Sequence, residues 1–321
     1  MIVEATDVRK DFVVWTRAGR FRRQRRVVPA VDGVDLRIGA GEMVGYLGPN
    51  GAGKSTTLKM LTGILRPTAG LVRVCGLEPV PQRTRLARRI GAVFGQRSQL
   101  WWDLPLGESF ALLRHVYRVP AGEHARRLAE CVELLDLSPL LDVPVRQLSL
   151  GQRMRGELTA ALLHGPELLF LDEPTIGLDL VSKEAVRSFL AELNRRHQTT
   201  LVLTTHDLAD IERLCDRLVV IDHGRVVHDG TLAALHARYG SRRRLVVQLD
   251  RPWPRLDVPG ARTEAVEAEG RRQTLALGGE TPLPAVVAAV AATAPLRDLN
   301  VLEPDIEDVI RRLYGEGSPG L

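Results

Sequence analysis

The stretch Gly48-Pro49-Asn50-Gly51-Ala52-Gly53-Lys54-Ser55-Thr56 fits the pattern G-x-x-x-x-G-K-[ST] of a phosphate-binding loop. An apolar run, Met43-Val44-Gly45-Tyr46-Leu47, precedes it, and Thr57, Leu58, Met60 and Leu61 follow as a helix-like run. Strand, loop and helix in that order are the context the motif requires. Glycines let the backbone curl until successive N–H groups point inward as an anion nest, and a helix beginning near Gly53 adds the positive end of its dipole. Lys54 is expected to reach the β- and γ-phosphates of a nucleotide and the Ser55 hydroxyl to hold Mg2+. Gly48, Asn50, Gly51, Gly53 and Thr56 complete the expected cradle.

A second element answers the first. Leu168-Leu169-Phe170-Leu171 is a short continuous apolar run, as expected of a buried parallel strand, and it ends in Asp172-Glu173. A carboxylate at the C-terminal tip of such a strand faces the ligand crevice of an open α/β sheet. Asp172 is therefore the expected Mg2+ partner. Glu173, one residue on, is placed to act as general base toward an attacking water.

Between these two lies Leu148-Ser149-Leu150-Gly151-Gln152-Arg153. Ser149 is a good helix N-cap, and Leu150, Met154, Leu158, Ala161 and Leu162 recur at helical spacing, which predicts one packed face. The N-terminal end of that helix is a second anion site.

With these motifs in order, the chain resembles the ATP-binding subunit of an ATP-binding cassette (ABC) transporter over about residues 1–240. The resemblance rests on GPNGAGKST at 48–56, Gln96 in GAVFGQ, LSLGQ at 148–152, LLFLDEP at 168–174, GLD at 177–179 and His206 in LTTHD. The family's usual signature is LSGGQ, and Leu150 replaces its first glycine while Ser149 and Gly151 are kept. The resemblance implies an α/β fold: a P-loop ATPase core with an antiparallel β subdomain and an inserted helical signature subdomain. It implies ATP and Mg2+ as cofactors, and two cassettes sandwiching two ATP molecules. In that sandwich Ser149, Gly151 and Gln152 of one subunit meet the γ-phosphate held by the other, and Asp179 crosses the interface. Gln96 would touch Mg2+ and the attacking water, and His206 would bond the γ-phosphate. Phe12 matches the adenine-stacking position, with Trp15 as a rival. The loop 97–106, with Trp101 and Trp102, would face separate permease subunits, although a core role for one tryptophan is an equal reading. The pairing would be with itself or a homologous cassette, at the cytoplasmic face of a bacterial plasma membrane. The stretch GYLGPNGAGKST and a C-terminal extension resemble daunorubicin- or multidrug-type exporter cassettes, and FGQRSQLWWDLP resembles a narrower viologen-exporter-like set.

Composition agrees. The chain has 321 residues, a net charge of +5 and 45% hydrophobic residues, enough for one large domain and one small one. MIVEATDVRK lacks the apolar core of a signal peptide, and no apolar run reaches the length of a membrane span. Cys75, Cys131 and Cys215 are scattered without metal-ligand spacing and read as reduced core residues. Two rival functions are a soluble ABC ATPase of translation or DNA maintenance and a nucleotide-binding regulator. The single cassette, the lack of heptads over 57–147 and the intact Glu173 oppose them.

Two regions stand outside the motifs. Arg17, Arg20, Arg22, Arg23, Arg25 and Arg26 crowd ten residues between strand-like segments Val3–Val14 and Val27–Leu36. This reads as an enlarged hairpin tip, either a solvated loop or a contact for anionic lipid or nucleic acid, with no specific nucleic acid expected. After residue 240 the pattern changes. Strands are expected at 245–249, 261–268, 273–277 and 296–302, and helices at 283–294 and 305–314. Residues 241–321 are thus expected to form a small α+β domain. Its resemblance to the C-terminal extension of daunorubicin-exporter-type cassettes implies dimer support or regulation, with a stabilising appendage as an equal reading.

Overall fold

Val44, Tyr46 and Leu47 are fully or almost fully buried, and a strand covered on both faces belongs inside a parallel sheet. The computed structural model, which describes residues 1–17, 23–94, 98–205, 207–239, 244–278 and 282–302, places it there. In chain order the first unit, Met1–Leu232, contains β1 (Val3–Arg17), β2 (Arg23–Ile38), β3 (Met43–Leu47), α1 (Lys54–Leu61), β4 (Ala69–Val74), α2 (Arg83–Leu86) and β5 (Ile90–Phe94). Then come α3 (Leu106–Tyr117), α4 (Ala121–Leu134), α5 (Leu150–Leu162), β6 (Leu168–Asp172), α6 (Leu180–His197), β7 (Thr200–Thr204), α7 (Leu208–Leu214), β8 (Arg217–Asp222) and β9 (Arg225–Thr231).

Six strands form the central sheet in the order β5-β6-β7-β3-β8-β9. All neighbours are parallel except the β8–β9 hairpin. That hairpin turns on His223 and Gly224, both at positive φ, as a two-residue turn requires. Because β5, β6, β7 and β3 run the same way, the segments that follow them emerge along one edge. That edge is where an open α/β sheet binds ligands.

A separate antiparallel sheet has the order β2-β1-β4. β1 and β2 pair antiparallel, but β3 joins the parallel sheet. Its apolar residues are consecutive rather than alternating, so it needs cover on both faces. The hairpin differs from the expected loop. β1 and β2 stay paired through Trp15↔Arg25, Thr16↔Gln24 and Arg17↔Arg23, so much of the basic segment is strand rather than tip. Arg20 and Arg22 lie outside the described residues. Both sheets share one core that includes Val34, Leu36, Ile38, Val44, Tyr46, Leu58 and Phe170.

The helical insert α3–α5 follows β5. α5 starts at Ser149, whose hydroxyl accepts from the Gln152 N–H while the Gln152 side chain accepts from the Ser149 N–H. This reciprocal capping box satisfies two N–H groups that a helix start would leave orphaned. Met154, Leu158, Ala161 and Leu162 are buried as the spacing predicted, but Leu150 is 41% exposed. It occupies the first helical position, beyond the packed part of the stripe.

The second unit begins at Ala233. It contains β10 (Arg244–Leu249), β11 (Ala261–Glu267), β12 (Arg272–Leu277), a helix (Leu283–Thr293) and β13 (Leu296–Leu302), preceded by most of a helix at Leu232–Tyr239. The four strands make an antiparallel sheet, β11-β12-β10-β13. Leu245, Val247, Leu275 and Leu277 from the sheet and Val286 and Val290 from the helix form its own core. The helix expected at 305–314 lies outside the described residues. Cys75, Cys131 and Cys215 are buried free thiols, and burial pushes Cys75 up to about 11 and the other two up to about 12.

Candidate functional site

The loop after β3 and the tip of β6 meet. Ser55 Oγ donates to Asp172 at 3.1 Å, and Thr204 Oγ1, at the end of β7, donates to the same carboxylate at 2.5 Å. The first turn of α1 and the ends of β6 and β7 are thereby tied at one carboxylate. Gly53 has φ +107, and a Cβ there would collide with the Ala30 carbonyl oxygen, so both the turn and its packing demand glycine. Lys54 opens α1 but turns back under the loop. Its Nζ donates to Gly48 O at 2.5 Å and Pro49 O at 3.2 Å. Only 7% of Lys54 is exposed. Burial lowers its pKa, while the nearby Glu173 and Asp172 carboxylates raise it. A desolvated ammonium facing two carboxylates is a cation held ready for anionic oxygens.

Glu173 sits just past β6 with φ 55, in the left-handed region. Its N–H donates to Thr204 O at 2.9 Å. A non-glycine residue in this region is strained, and such residues cluster at functional sites. A cavity of about 710 Å3 is lined by Phe12, Asn50, Ser55, Phe94, Asp172 and Glu173, among others. Its lining thus places an aromatic ring, an oxygen pair and a second carboxylate around one space. Phe12 lines it, and Trp15, the rival, does not; Lys10 Nζ lies 5.3 Å from the centre of the Phe12 ring.

The other expected residues lie elsewhere. Ser149, Gly151 and Gln152 form the start of α5 and do not line this cavity. A Cβ on Gly151 would come within 2.5 Å of Ser182 Oγ, so α5 and α6 approach closely there. Asp179 caps α6, accepting from Ser182 N at 2.9 Å and Ser182 Oγ at 2.8 Å, and those bonds hold its carboxyl below the usual range. Gln96 and His206 lie outside the described residues.

Two buried carboxylates were not singled out from the sequence. Asp210, in α7, is fully buried and accepts from Thr175 Oγ1 at 2.5 Å, Thr205 Oγ1 at 3.1 Å and Arg187 Nε at 2.6 Å. Thr175 is two residues after Glu173, and Thr205 immediately precedes His206. One carboxylate therefore fixes the chain on both sides of the β6–β7 ends. Glu157, in α5, accepts from Ser98 Oγ and, at 3.0 Å, from Gln99 N. Burial raises its pKa, and those two donors oppose the rise. It holds the start of the loop that carries Trp101 and Trp102, which are 40% and 52% exposed. Neither tryptophan is a core residue, and Arg153 of α5 lies over the Trp102 ring at 5.6 Å. Each carboxylate had a signal: Asp210 falls in the stripe with Ile211 and Leu214, and Glu157 in that of Met154, Leu158 and Ala161. An acid in a buried stripe needs partners.

The geometry can be set beside known proteins. Residues 31–176 match the family model described as ABC transporter. The ABC transporter ATP-binding protein NatA of Bacillus subtilis is 33% identical over 217 residues, covering 68% of this chain and 88% of that one. The chain belongs to the ABC transporter family. The Nod factor export ATP-binding protein I of Ralstonia nicotianae is 35% identical over 297 residues, covering 89% of each chain. Among solved structures, an ATP-binding cassette captured as a dimer in a post-hydrolysis state with ADP and Pi has a TM-score of 0.62 at 29% identity, covering 72% of this chain and 98% of that one. This chain is accordingly an ABC ATPase, the ATP-binding and ATP-hydrolysing subunit of a transporter.

Proposed function

We propose that the cassette energises export through separate permease subunits, with ATP held between two cassettes. The observation that carries the ATP site is the tie of Ser55, Asp172 and Thr204 beside the buried Lys54. In this reading the loop from Gly48 to Thr56, with Asn50, Gly51, Gly53 and Lys54, takes the phosphates and Phe12 stacks on adenine. Ser55 and Asp172, with Gln96, would hold Mg2+. The donors present, all oxygen, suit that ion, which commonly takes one or two carboxylates and completes its shell with water and phosphate oxygens. Bound there, Mg2+ would neutralise developing phosphate charge. Glu173 takes the proton of the attacking water, and His206 bonds the γ-phosphate. Ser149, Gly151, Gln152 and Asp179 act across the dimer.

Asp210 supports this chemistry by position. Asp210→Asn should keep the shape but weaken the hold on Arg187, loosening Thr175 and Thr205 together. The expected result is a kcat lower by about tenfold to a hundredfold, with ATP affinity within about twofold of wild type. Steady-state ATPase kinetics beside a nucleotide titration check this; an equal loss of affinity would assign Asp210 to folding alone.

Export is supported by the Nod factor export relative, and the daunorubicin- and viologen-type resemblances narrow the class without naming a cargo. No helix among the described residues is long and apolar enough to cross a membrane. We place the cassette at the cytoplasmic face, docked through the loop with Trp101 and Trp102; exposed tryptophans suit a partner surface. The unit after Ala233 is assigned to dimer support or regulation. The test is recovery of a tagged cassette with membranes that contain its permease. Trp101→Ala/Trp102→Ala should reduce that recovery severalfold while ATP binding persists. Unchanged recovery would remove this loop from the docking surface, and a collapsed melting transition would move the pair into the core.

A further inference from the structure

The hairpin formed by the outer halves of β1 and β2 has no cover. β1 pairs with β4 only as far as Arg9↔Ala69. Beyond Asp11 the ribbon has two strands, and among the described residues no third strand pairs with it. Two-stranded ribbons are marginal in water by themselves. This one nevertheless exposes large apolar side chains: Phe12 40%, Val13 49%, Val14 43%, Trp15 61%, Val27 49% and Val28 37%.

Register sorts these residues onto two faces, because directly opposed residues share a face and neighbours alternate. Phe12↔Val28 and Val14↔Arg26 lie on the face that contributes Phe12 to the nucleotide cavity. Val13↔Val27 and Trp15↔Arg25 lie on the other face, away from it. That second face carries three apolar side chains followed by a cation. In sequence, residues 12–31 contain six arginines and no acidic residue.

We propose that this ribbon docks on the surface of an anionic lipid bilayer. Three observations select that occupant. The charge is of one sign, which calls for a polyanion. The tryptophan and the valines need an apolar phase directly beneath the anionic layer, and a bilayer interface offers both. Nucleic acid offers phosphates, and bases for Trp15, but no apolar phase for Val13 and Val27. The ATP site need not be occupied, so the proposal stands apart from the nucleotide chemistry.

The experiment is flotation of the purified full chain with vesicles of phosphatidylcholine alone and of phosphatidylcholine mixed with phosphatidylglycerol. The chain should float with the mixed vesicles, not with the neutral ones, and binding should fall as salt rises. Arg25→Ser should lower the partition coefficient about fivefold. Val13→Ser/Val27→Ser should also weaken binding but leave its salt dependence. These residues lie on the face away from the nucleotide site, so ATP binding in solution should be unchanged and confirms that each variant is folded. If a variant fails to fold, the wild-type comparison of neutral with anionic vesicles across salt still decides. The proposal is overturned if the wild-type chain ignores anionic vesicles at low salt, or binds neutral ones equally. It is also overturned if both folded variants float like wild type. Retention on a homopolymeric RNA without any vesicle binding would overturn it in favour of nucleic acid.

Discussion

Lys54→Ala should abolish or greatly weaken binding of Mg·ATP while leaving the fold intact. Lys54 is 7% exposed and is held against the Gly48 and Pro49 carbonyls. Folding without nucleotide therefore carries the cost of desolvating its charge, visible as a lowered pKa. The Gly48 and Pro49 carbonyls and the Glu173 and Asp172 carboxylates offset part of that cost, and an anionic ligand would offset more. Truncating one partner of a buried charge pair costs about 2–5 kcal/mol, so the Kd should rise about thirtyfold to several thousandfold. The melting temperature without nucleotide should change little, because the two carbonyls released lie beside an open site where water can replace the ammonium. The upward shift of melting temperature on adding Mg·ATP should vanish, since that shift depends on ligand concentration relative to Kd. A fluorescent-nucleotide titration and a melting series measure both. Unchanged affinity would detach Lys54 from the phosphates and with it the assignment of this loop.

Legibility followed locality. The phosphate loop, the Asp172-Glu173 tip and the Ser149 cap of α5 were readable because each is set by residues adjacent in the chain. The capping box needs only Ser149 and Gln152, three residues apart. The parallel sheet was readable from Leu168–Leu171, whose consecutive apolar residues demand cover on both faces. The same rule applied to Met43–Leu47 places it in that sheet. The roles of Asp210 and Glu157 were hidden because their partners are distant. Thr175 is 35 residues from Asp210, and Ser98 is 59 from Glu157. Only the presence of an acid on an apolar stripe hinted at them. The hairpin failed differently. Arginine-rich composition suggested a loop between Val14 and Val27, yet the expected strands continue past both ends through Trp15↔Arg25, Thr16↔Gln24 and Arg17↔Arg23.

α5 joins two of these features in one rigid rod. Its first turn carries Ser149 and Gly151, and two turns later Glu157 grips Ser98 and Gln99. Arg153, lying over Trp102 between those two points, adds a second contact. If the tryptophan loop meets the permease and the α5 N-terminus meets the second cassette, as proposed, this one helix would join the two contacts.

Glu173→Gln should separate binding from chemistry. Glutamine keeps the length and the hydrogen bonding of the side chain but cannot take a proton from water. The backbone at this position is left-handed, with φ 55, and Glu173 N–H remains bonded to Thr204 O. Both side chains place the same Cβ in that backbone, so the substitution adds no new strain and its effect reports on the carboxylate. Loss of a general base typically lowers turnover about 100- to 10,000-fold. Lys54, Ser55 and Asp172 are untouched, so nucleotide affinity should persist. With hydrolysis blocked and ATP bridging each phosphate loop to the opposite Ser149 and Gly151, the variant should accumulate as a dimer. Size-exclusion chromatography with light scattering should find monomer or a weak dimer without nucleotide and a stable dimer with ATP. Turnover near the wild-type rate would remove Glu173 from the role of base. A variant that is inactive, binds ATP and stays monomeric at saturation would keep the base but move the force for association to the permease.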